Sequence, residues 1–212
     1  MQSLFKITLL STFMFFGHFS KAQLLDSLNE LLSQKPSFFL KFDNRNSFIS
    51  SRNINMFGVR AGLVFDNRLM LGLGYSQLNK RIDRTVLVNG NTVLAQFNLR
   101  YISFYGEYVF FRNERWEHSI PLVIGYGGAW YRTEFTRENL PRDNGFIYEP
   151  AMTTTFKVFP WFGVGAGVGY RLVLMNQRNI SENLTSPLYL FKINFYPDPF
   201  VDLFKKWRNE LE

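Results

Sequence analysis

The stretch Gly163-Val164-Gly165-Ala166-Gly167-Val168-Gly169-Tyr170-Arg171-Leu172 decides the fold class. Gly and Arg take every second position; Val, Ala, Tyr and Leu take the positions between. A period of two belongs to a strand, because successive side chains leave it on opposite faces. By average hydropathy alone, Val158 to Met175 would pass for a membrane helix. The alternating glycines argue against it, since each costs about 1 kcal/mol in a helix interior. Residues 54–65 repeat the pattern: Gly58, Arg60 and Gly62 face one way, Phe57, Val59, Ala61, Leu63 and Phe65 the other.

Working outward, the same period gives eight strands, at about 37–44, 53–65, 69–79, 92–111, 116–135, 146–158, 161–175 and 187–196. In the fourth, the apolar set moves from odd positions (Phe97, Leu99, Tyr101) to even ones (Ile102, Phe104, Tyr108). That shift predicts a bulge near Tyr101, with a misplaced boundary as the alternative. The connections alternate in length. Asp66-Asn67-Arg68, Arg112 to Arg115 and Phe159-Pro160 are tight; those at 45–52, 80–91, 136–145 and 176–186 are longer and polar. Alternation of this kind puts every tight turn at one end of a meander, as in a bacterial outer-membrane barrel.

The whole chain has 212 residues, no cysteine, 46% hydrophobic and 18% aromatic residues, 19% charged residues and a net charge of +7. The apolar share is too high for disorder. With 24 Phe, 10 Tyr and 4 Trp, the aromatic surface needs a destination. No cysteine means no disulfides.

The first segment reads as an address. Lys6 supplies a positive start, Ile7 to Phe19 an apolar run, and Ser20-Lys21-Ala22 the small residues of a cleavage site before Gln23. Residues 1–22 are thus expected to be a signal peptide. Leu24, Leu25, Leu28, Leu31 and Leu32 recur at helical spacing, which predicts an amphipathic helix over 23–36 ending before Pro36. Asp198-Pro199 resembles an N-cap followed by Pro in the first helical position. A second amphipathic helix over 197–212 follows, with Phe200, Phe204, Trp207 and Leu211 on one face. Through Phe204 and Trp207 it would lie on the membrane surface; docking a periplasmic partner or plugging the barrel mouth are its other placements.

Alternation alone does not say which face points inward. A soluble lipocalin-like barrel would hide its apolar face. The polar face mixes charges of both signs with glycine: Lys41, Asp43, Arg60, Arg100, Glu107, Glu149, Lys157, Arg171 and Lys192. An eight-stranded barrel is just wide enough for side chains to fill its interior, so these residues are expected to pair inside it. The apolar face carries aromatics near strand ends, among them Tyr75, Tyr108, Trp116, Trp130, Tyr148, Trp161, Tyr170, Tyr189 and Tyr196. They suit two interfacial girdles. The expected fold is all-β: an eight-stranded antiparallel up-and-down transmembrane β-barrel over 37–196, with short amphipathic helices at both ends.

The run from Phe57 to Tyr75, Phe-Gly-Val-Arg-Ala-Gly-Leu-Val-Phe-Asp-Asn-Arg-Leu-Met-Leu-Gly-Leu-Gly-Tyr, resembles the first hairpin of small outer-membrane β-barrel proteins of Bacteroidetes type, with OmpA/OmpX-like architecture. Lys21-Ala22-Gln23 is similar to the signal-peptide ends of exported proteins in that group. The resemblance extends loosely over 37–196 and implies an architecture rather than an activity. Such barrels often end on a terminal aromatic strand, whereas here Phe195-Tyr196 is followed by 16 residues. The assembly signal would therefore be internal.

Chemistry is sparse. Serine acyl transfer needs a base aimed at a hydroxyl, and His118-Ser119 is the one candidate pair outside the signal peptide. Neighbours on a strand point to opposite faces, so no catalytic residue is expected. No spaced His, Cys or carboxylate set suggests a metal, and Gly163 to Gly169 lies within a strand rather than at a phosphate-binding turn. No cofactor and no nucleic-acid partner are expected. Lys80, Arg81, Arg84, Arg137, Arg142 and Arg178 fall in the external loops or at their bases, where they suit charge-assisted contacts to lipopolysaccharide. The expectation is a monomeric, non-enzymatic outer-membrane protein with a structural or surface-interaction role. It would contact outer-membrane lipid and lipopolysaccharide, with an envelope protein as a further partner. A small-solute pore, a lipid A-modifying enzyme and a secreted soluble barrel are the alternatives.

Overall fold

The computed structural model describes residues 32–49, 52–79, 82–88, 90–175, 178–180 and 182–196. Nine strands lie among them: β1 (Ser37–Ile49), β2 (Arg52–Phe65), β3 (Leu69–Leu78), β4 (Ile82–Val88), β5 (Asn91–Arg112), β6 (Trp116–Thr133), β7 (Asp143–Phe159), β8 (Phe162–Met175) and β9 (Ser186–Phe195). Every pairing is antiparallel, in the order β3-β2-β1-β9-β8-β7-β6-β5-β4, and a β3–β5 pairing closes the ring. Eight strands form that ring. β4 stands outside it, paired only with the upper part of β5 from Ile82↔Phe97 to Val88↔Asn91.

One end of the barrel is made of tight turns. Asp66 and Asn67 follow one another with φ of 47° and 54°, and the Arg68 amide donates to the Phe65 carbonyl at 2.9 Å. Two left-handed residues in succession suit the right-handed twist of a hairpin, and Asp and Asn tolerate them best after Gly. At the next turn the Asn113 side chain accepts from the amides of Arg115 (3.0 Å) and Trp116 (2.6 Å). Pro160-Trp161 makes the third. The start of β1 and the end of β9 lie at this same end.

Three expectations need correction. The connection at 45–52 is not long: β1 and β2 pair up to Ile49↔Arg52, which leaves two residues between them. Polar residues on both faces of upper β1 (Asn44, Arg45, Asn46, Ser47) made it look like a loop. The connection at 80–91 is not a loop but holds β4, which turns into β5 through Gly90 at φ 81°. No bulge lies near Tyr101. The β5–β6 register runs unbroken from Ala95↔Thr133 to Val109↔Ser119, and the irregularity falls between Val109 and Phe111.

The missing bulge has a physical explanation. Odd residues of β5 face inward from Ala95 to Val109, and even ones outward; the order changes only beyond the irregularity at Val109/Phe111. Below Tyr101 the outward set is apolar (Ile102, Phe104, Tyr108) and the inward set holds Ser103 and Glu107. Above it the polarity inverts: Ala95, Phe97 and Leu99 are buried inside while Gln96, Asn98 and Arg100 face out. The face stays the same and the solvent changes.

β2 and β7 do likewise. Ile54 and Met56 are buried inside opposite outward Asn53 and Asn55, then Gly58 and Arg60 opposite Phe57 and Val59. Outward Asn144 gives way to Phe146 and Tyr148. From Ile102 to Phe111, about ten residues rising ~3.3 Å each at a ~40° tilt give an apolar belt of roughly 25 Å, the height of a membrane barrel's lipid-facing band.

Among the described residues no helix is long and apolar enough to cross a membrane. Leu32 and Ser33 have helical backbone just before β1. The expected signal peptide, most of the 23–36 helix and the whole 197–212 helix with Phe204 and Trp207 lie outside the described residues, as do Lys80 and Arg81.

Candidate functional site

The barrel interior is filled by a network whose charged members stand on six of the strands. Glu107 on β5 is one hub. Its carboxylate accepts from Lys192 Nζ at 2.8 Å and also from Lys41 Nζ, Tyr105 OH and Ser119 Oγ. Lys192 donates further to Thr153 Oγ1 at 2.7 Å. Glu149 on β7 is a second hub. It pairs with Arg171 Nε at 2.5 Å and with Arg45, and accepts from Tyr101 OH at 3.1 Å. Arg171 Nη1 reaches Ser47 Oγ at 2.9 Å. Between the hubs, Asp43 pairs with Arg60 and with Arg45 Nε at 3.1 Å. Two glycines make room for Arg60: a Cβ at Gly58 would lie 2.8 Å from its Nη1, and one at Gly74 2.9 Å from its Cγ.

All of these charged groups are buried. Charge burial is costly unless each ion is paired and hydrogen-bonded, which explains why the network is so densely cross-linked. Below it lie Phe39, Val64, Met70 and Val109; at the tight-turn mouth Arg112 Nη2 pairs with Glu117 Oε2 at 2.5 Å.

Above the network the interior turns apolar and the loops close over it. Ile180 and Leu184, from the β8–β9 connection, are buried with Ile54, Met56, Ile82, Phe97, Leu99 and Tyr131. Asp143 anchors this connection by accepting from the Asn179 amide at 2.8 Å and the Ile180 amide at 3.0 Å. Arg84 of β4 donates to Glu182 through Nη2 at 3.0 Å, which raises the guanidinium pKa above its ordinary value. β4 and the last connection thus hold one another across the open end.

Outside, a polar collar marks the level where polarity inverts. Asn55 Nδ2 donates to Asn46 Oδ1 at 3.0 Å and to Asn44, and Asn79 Nδ2 donates to Asn55 Oδ1 at 3.3 Å. On the β5–β6–β7 side, the Trp130 ring has the Arg100 guanidinium at 4.9 Å and the Arg142 guanidinium at 5.0 Å from its centroid. Below the collar the wall is exposed and apolar; Leu73, Ile102, Phe104, Tyr126 and Phe146 are all more than half exposed.

Of the residues expected to share the interior, Lys41, Asp43, Glu107, Arg60, Glu149, Arg171 and Lys192 are brought together. Lys157 is half-buried at the tight-turn mouth and is in no ion pair among the described residues. Arg100 is a correction: it faces out, because it stands on the even side of β5. The expectation placed it inside by assuming that polar residues always face inward, which fails above the collar. Arg45 was missed, although it continues the Phe39, Lys41, Asp43 series. Tyr101, Tyr105 and Ser119 were missed because nothing local sets them apart.

Among the basic loop residues, Arg84 is engaged by Glu182, while Arg137, Arg142 and Arg178 are exposed. His118 and Ser119 do point to opposite faces. His118 Nδ1 is 2.9 Å from Thr154 Oγ1 and its ring stacks on Phe111, while Ser119 hydrogen-bonds inside. Among the described residues no cluster of His, Cys, Asp and Glu suits a metal ion.

No family model matches the chain, and no curated protein matches it. Solved structures do. Neisserial surface protein A (NspA) aligns with a TM-score of 0.54 at 13% identity, over 77% of this chain and 99% of that one. The N-terminal β-barrel domain of Pseudomonas aeruginosa OprF aligns with a TM-score of 0.53 at 10% identity, over 76% and 97%. At such identities the likeness is one of fold. Together with the apolar belt and the filled interior, it defines the class: an eight-stranded antiparallel transmembrane β-barrel of the outer-membrane kind.

Proposed function

We propose that this chain is an exported outer-membrane barrel protein, of Bacteroidetes type, with a non-enzymatic structural or surface-interaction role. The observation that carries the reading is the inversion of polarity along β2 and β5, matched on the outer face of β7: apolar outside and charged inside below it, polar outside and apolar inside above it. A soluble barrel has no use for a belt of exposed Phe, Tyr and Leu about as tall as a membrane. The signal peptide at 1–22 delivers the chain. The capped loops face outward, where Arg137, Arg142 and Arg178, with Lys80 and Arg81, meet lipopolysaccharide. The terminal helices face the periplasm, where Phe204 and Trp207 rest on the inner leaflet or meet an envelope partner. The barrel acts as a monomer, braced from within by the Glu107 and Glu149 hubs.

The test is fractionation with gel mobility. The protein should sediment with outer membranes, and folded barrels should migrate differently before and after boiling. Recovery from the periplasm without detergent would overturn the proposal.

A further inference from the structure

The outer wall holds a feature that a plain lipid-facing surface does not need. Paired register stacks three rows on β5, β6 and β7. Arg100, Gly128 and Asn144 form one; Ile102, Tyr126 and Phe146 form the row beneath; Asn98 and Trp130 stand above. Arg142 precedes β7 at the level of Trp130. Both guanidinium groups therefore lie against one indole at the boundary between polar collar and apolar belt.

Neither Arg100 nor Arg142 is ion-paired among the described residues, although Glu134 and Glu138 stand in the adjoining connection. Both side chains are exposed. Gly128 is part of the construction: a Cβ there would collide with Arg142 Nε and Asn144 Oδ1. Directly below, a groove of about 590 Å³ crosses the wall, lined by Tyr75, Ile102, Phe104, Ile124, Tyr126 and Phe146 among others. Two unpaired arginines held by a shared aromatic suit a phosphate, because a guanidinium presents a rigid fork of donors to its oxygens. An apolar groove one step lower, at about 7 Å along the strand, suits an alkyl chain attached to that phosphate's scaffold.

We propose that this surface binds a phosphorylated, multiply acylated lipid of the outer leaflet, the lipid A part of lipopolysaccharide. Arg100 and Arg142 hold a phosphate, and the groove seats an acyl chain. The proposal rests on the outer-membrane reading and sharpens it. The contact lies on the barrel wall at the collar, not only in the loop arginines, and it includes Arg100.

Native mass spectrometry of the folded barrel in detergent tests it, with bisphosphorylated lipid A, dephosphorylated lipid A, phosphatidylethanolamine and inorganic phosphate as separate probes. The expected result is one retained lipid A per barrel, with weak retention of the dephosphorylated form and no competition from inorganic phosphate. Arg100→Gln combined with Arg142→Gln should weaken retention about tenfold or more. Gly128→Ala should weaken it with both arginines present, by displacing Arg142. Arg68→Gln with Arg115→Gln, both exposed at the opposite, tight-turn end, should leave it unchanged. Equal retention of the two lipid A forms, or wild-type retention by the Arg100/Arg142 variant, overturns the site. Gel mobility before and after boiling checks each variant's fold. A barrel that passes that check yet ignores phosphate defeats only this site; a chain recovered as a soluble protein defeats the outer-membrane reading itself.

Discussion

At the residue scale, Glu107 shows what holds the interior. It sits between Lys41 and Lys192, with Tyr105 and Ser119 completing its oxygens. Replacing it with Ala leaves two buried ammonium groups without their counter-charge. Removing one partner of such a pair costs about 3–5 kcal/mol. Guanidinium unfolding of the refolded barrel should therefore show Glu107→Ala with a clearly lower midpoint, and an unchanged midpoint would contradict the hub. Glu107 itself was legible in the sequence as a charge on the polar face. Its partners were not. Ser119 lies on the adjacent β6, but Lys41 and Lys192 lie on β1 and β9, and only barrel closure makes them neighbours.

At the element scale, the strands carry a depth code. Phe104 is 51% exposed in the middle of the apolar belt, whereas Asn98 is outward above the collar. A cation on the lipid face costs ~2–4 kcal/mol at the midplane and ~0–1 near the interfaces. Phe104→Arg should thus destabilise the barrel in liposomes strongly, and Asn98→Arg hardly at all. Equal effects would mean that the belt is not where lipid lies. The hairpin of β4 and upper β5 makes a second test. Its contacts with Ile180, Leu184 and Glu182 hold the last connection down. With Ile180→Ser and Leu184→Ser, hydrogen exchange over 176–185 should speed up while β6 and β7 stay protected. No change there would show that these two side chains do not hold the cap.

Element boundaries were partly readable. Gly alternation and Asp66-Asn67 marked strands and turns well, because local geometry dictates them. Asn89-Gly90 between Val86-Leu87 and Val93-Leu94 is a hairpin signature, so β4 was written in the chain. It was passed over because Asp83, Arg84 and Thr85 read as loop. The apparent bulge at Tyr101 came from treating polarity as a fixed label of one face.

At the scale of the whole molecule, the network and the cap leave the barrel filled. Five buried cations (Lys41, Arg45, Arg60, Arg171, Lys192) and three buried carboxylates (Asp43, Glu107, Glu149) occupy the middle, and the apolar cluster above them excludes water. Planar bilayers containing the wild-type barrel should show no steady single-channel current. A reproducible conductance would argue for the pore reading.

Sequence by itself determined the period of two, the eight ring strands, the tight turns at one end and an apolar face set against a charged one. These are local properties of a strand, written in the order of residues along it. Tertiary structure alone decided which charges meet, that β4 and the last connection cap the mouth, and that Arg100 faces out beside Trp130 and Arg142. Those depend on closing the ring and on the level at which lipid gives way to water. A single strand records both solvents in its alternation, but it does not mark where one ends and the other begins.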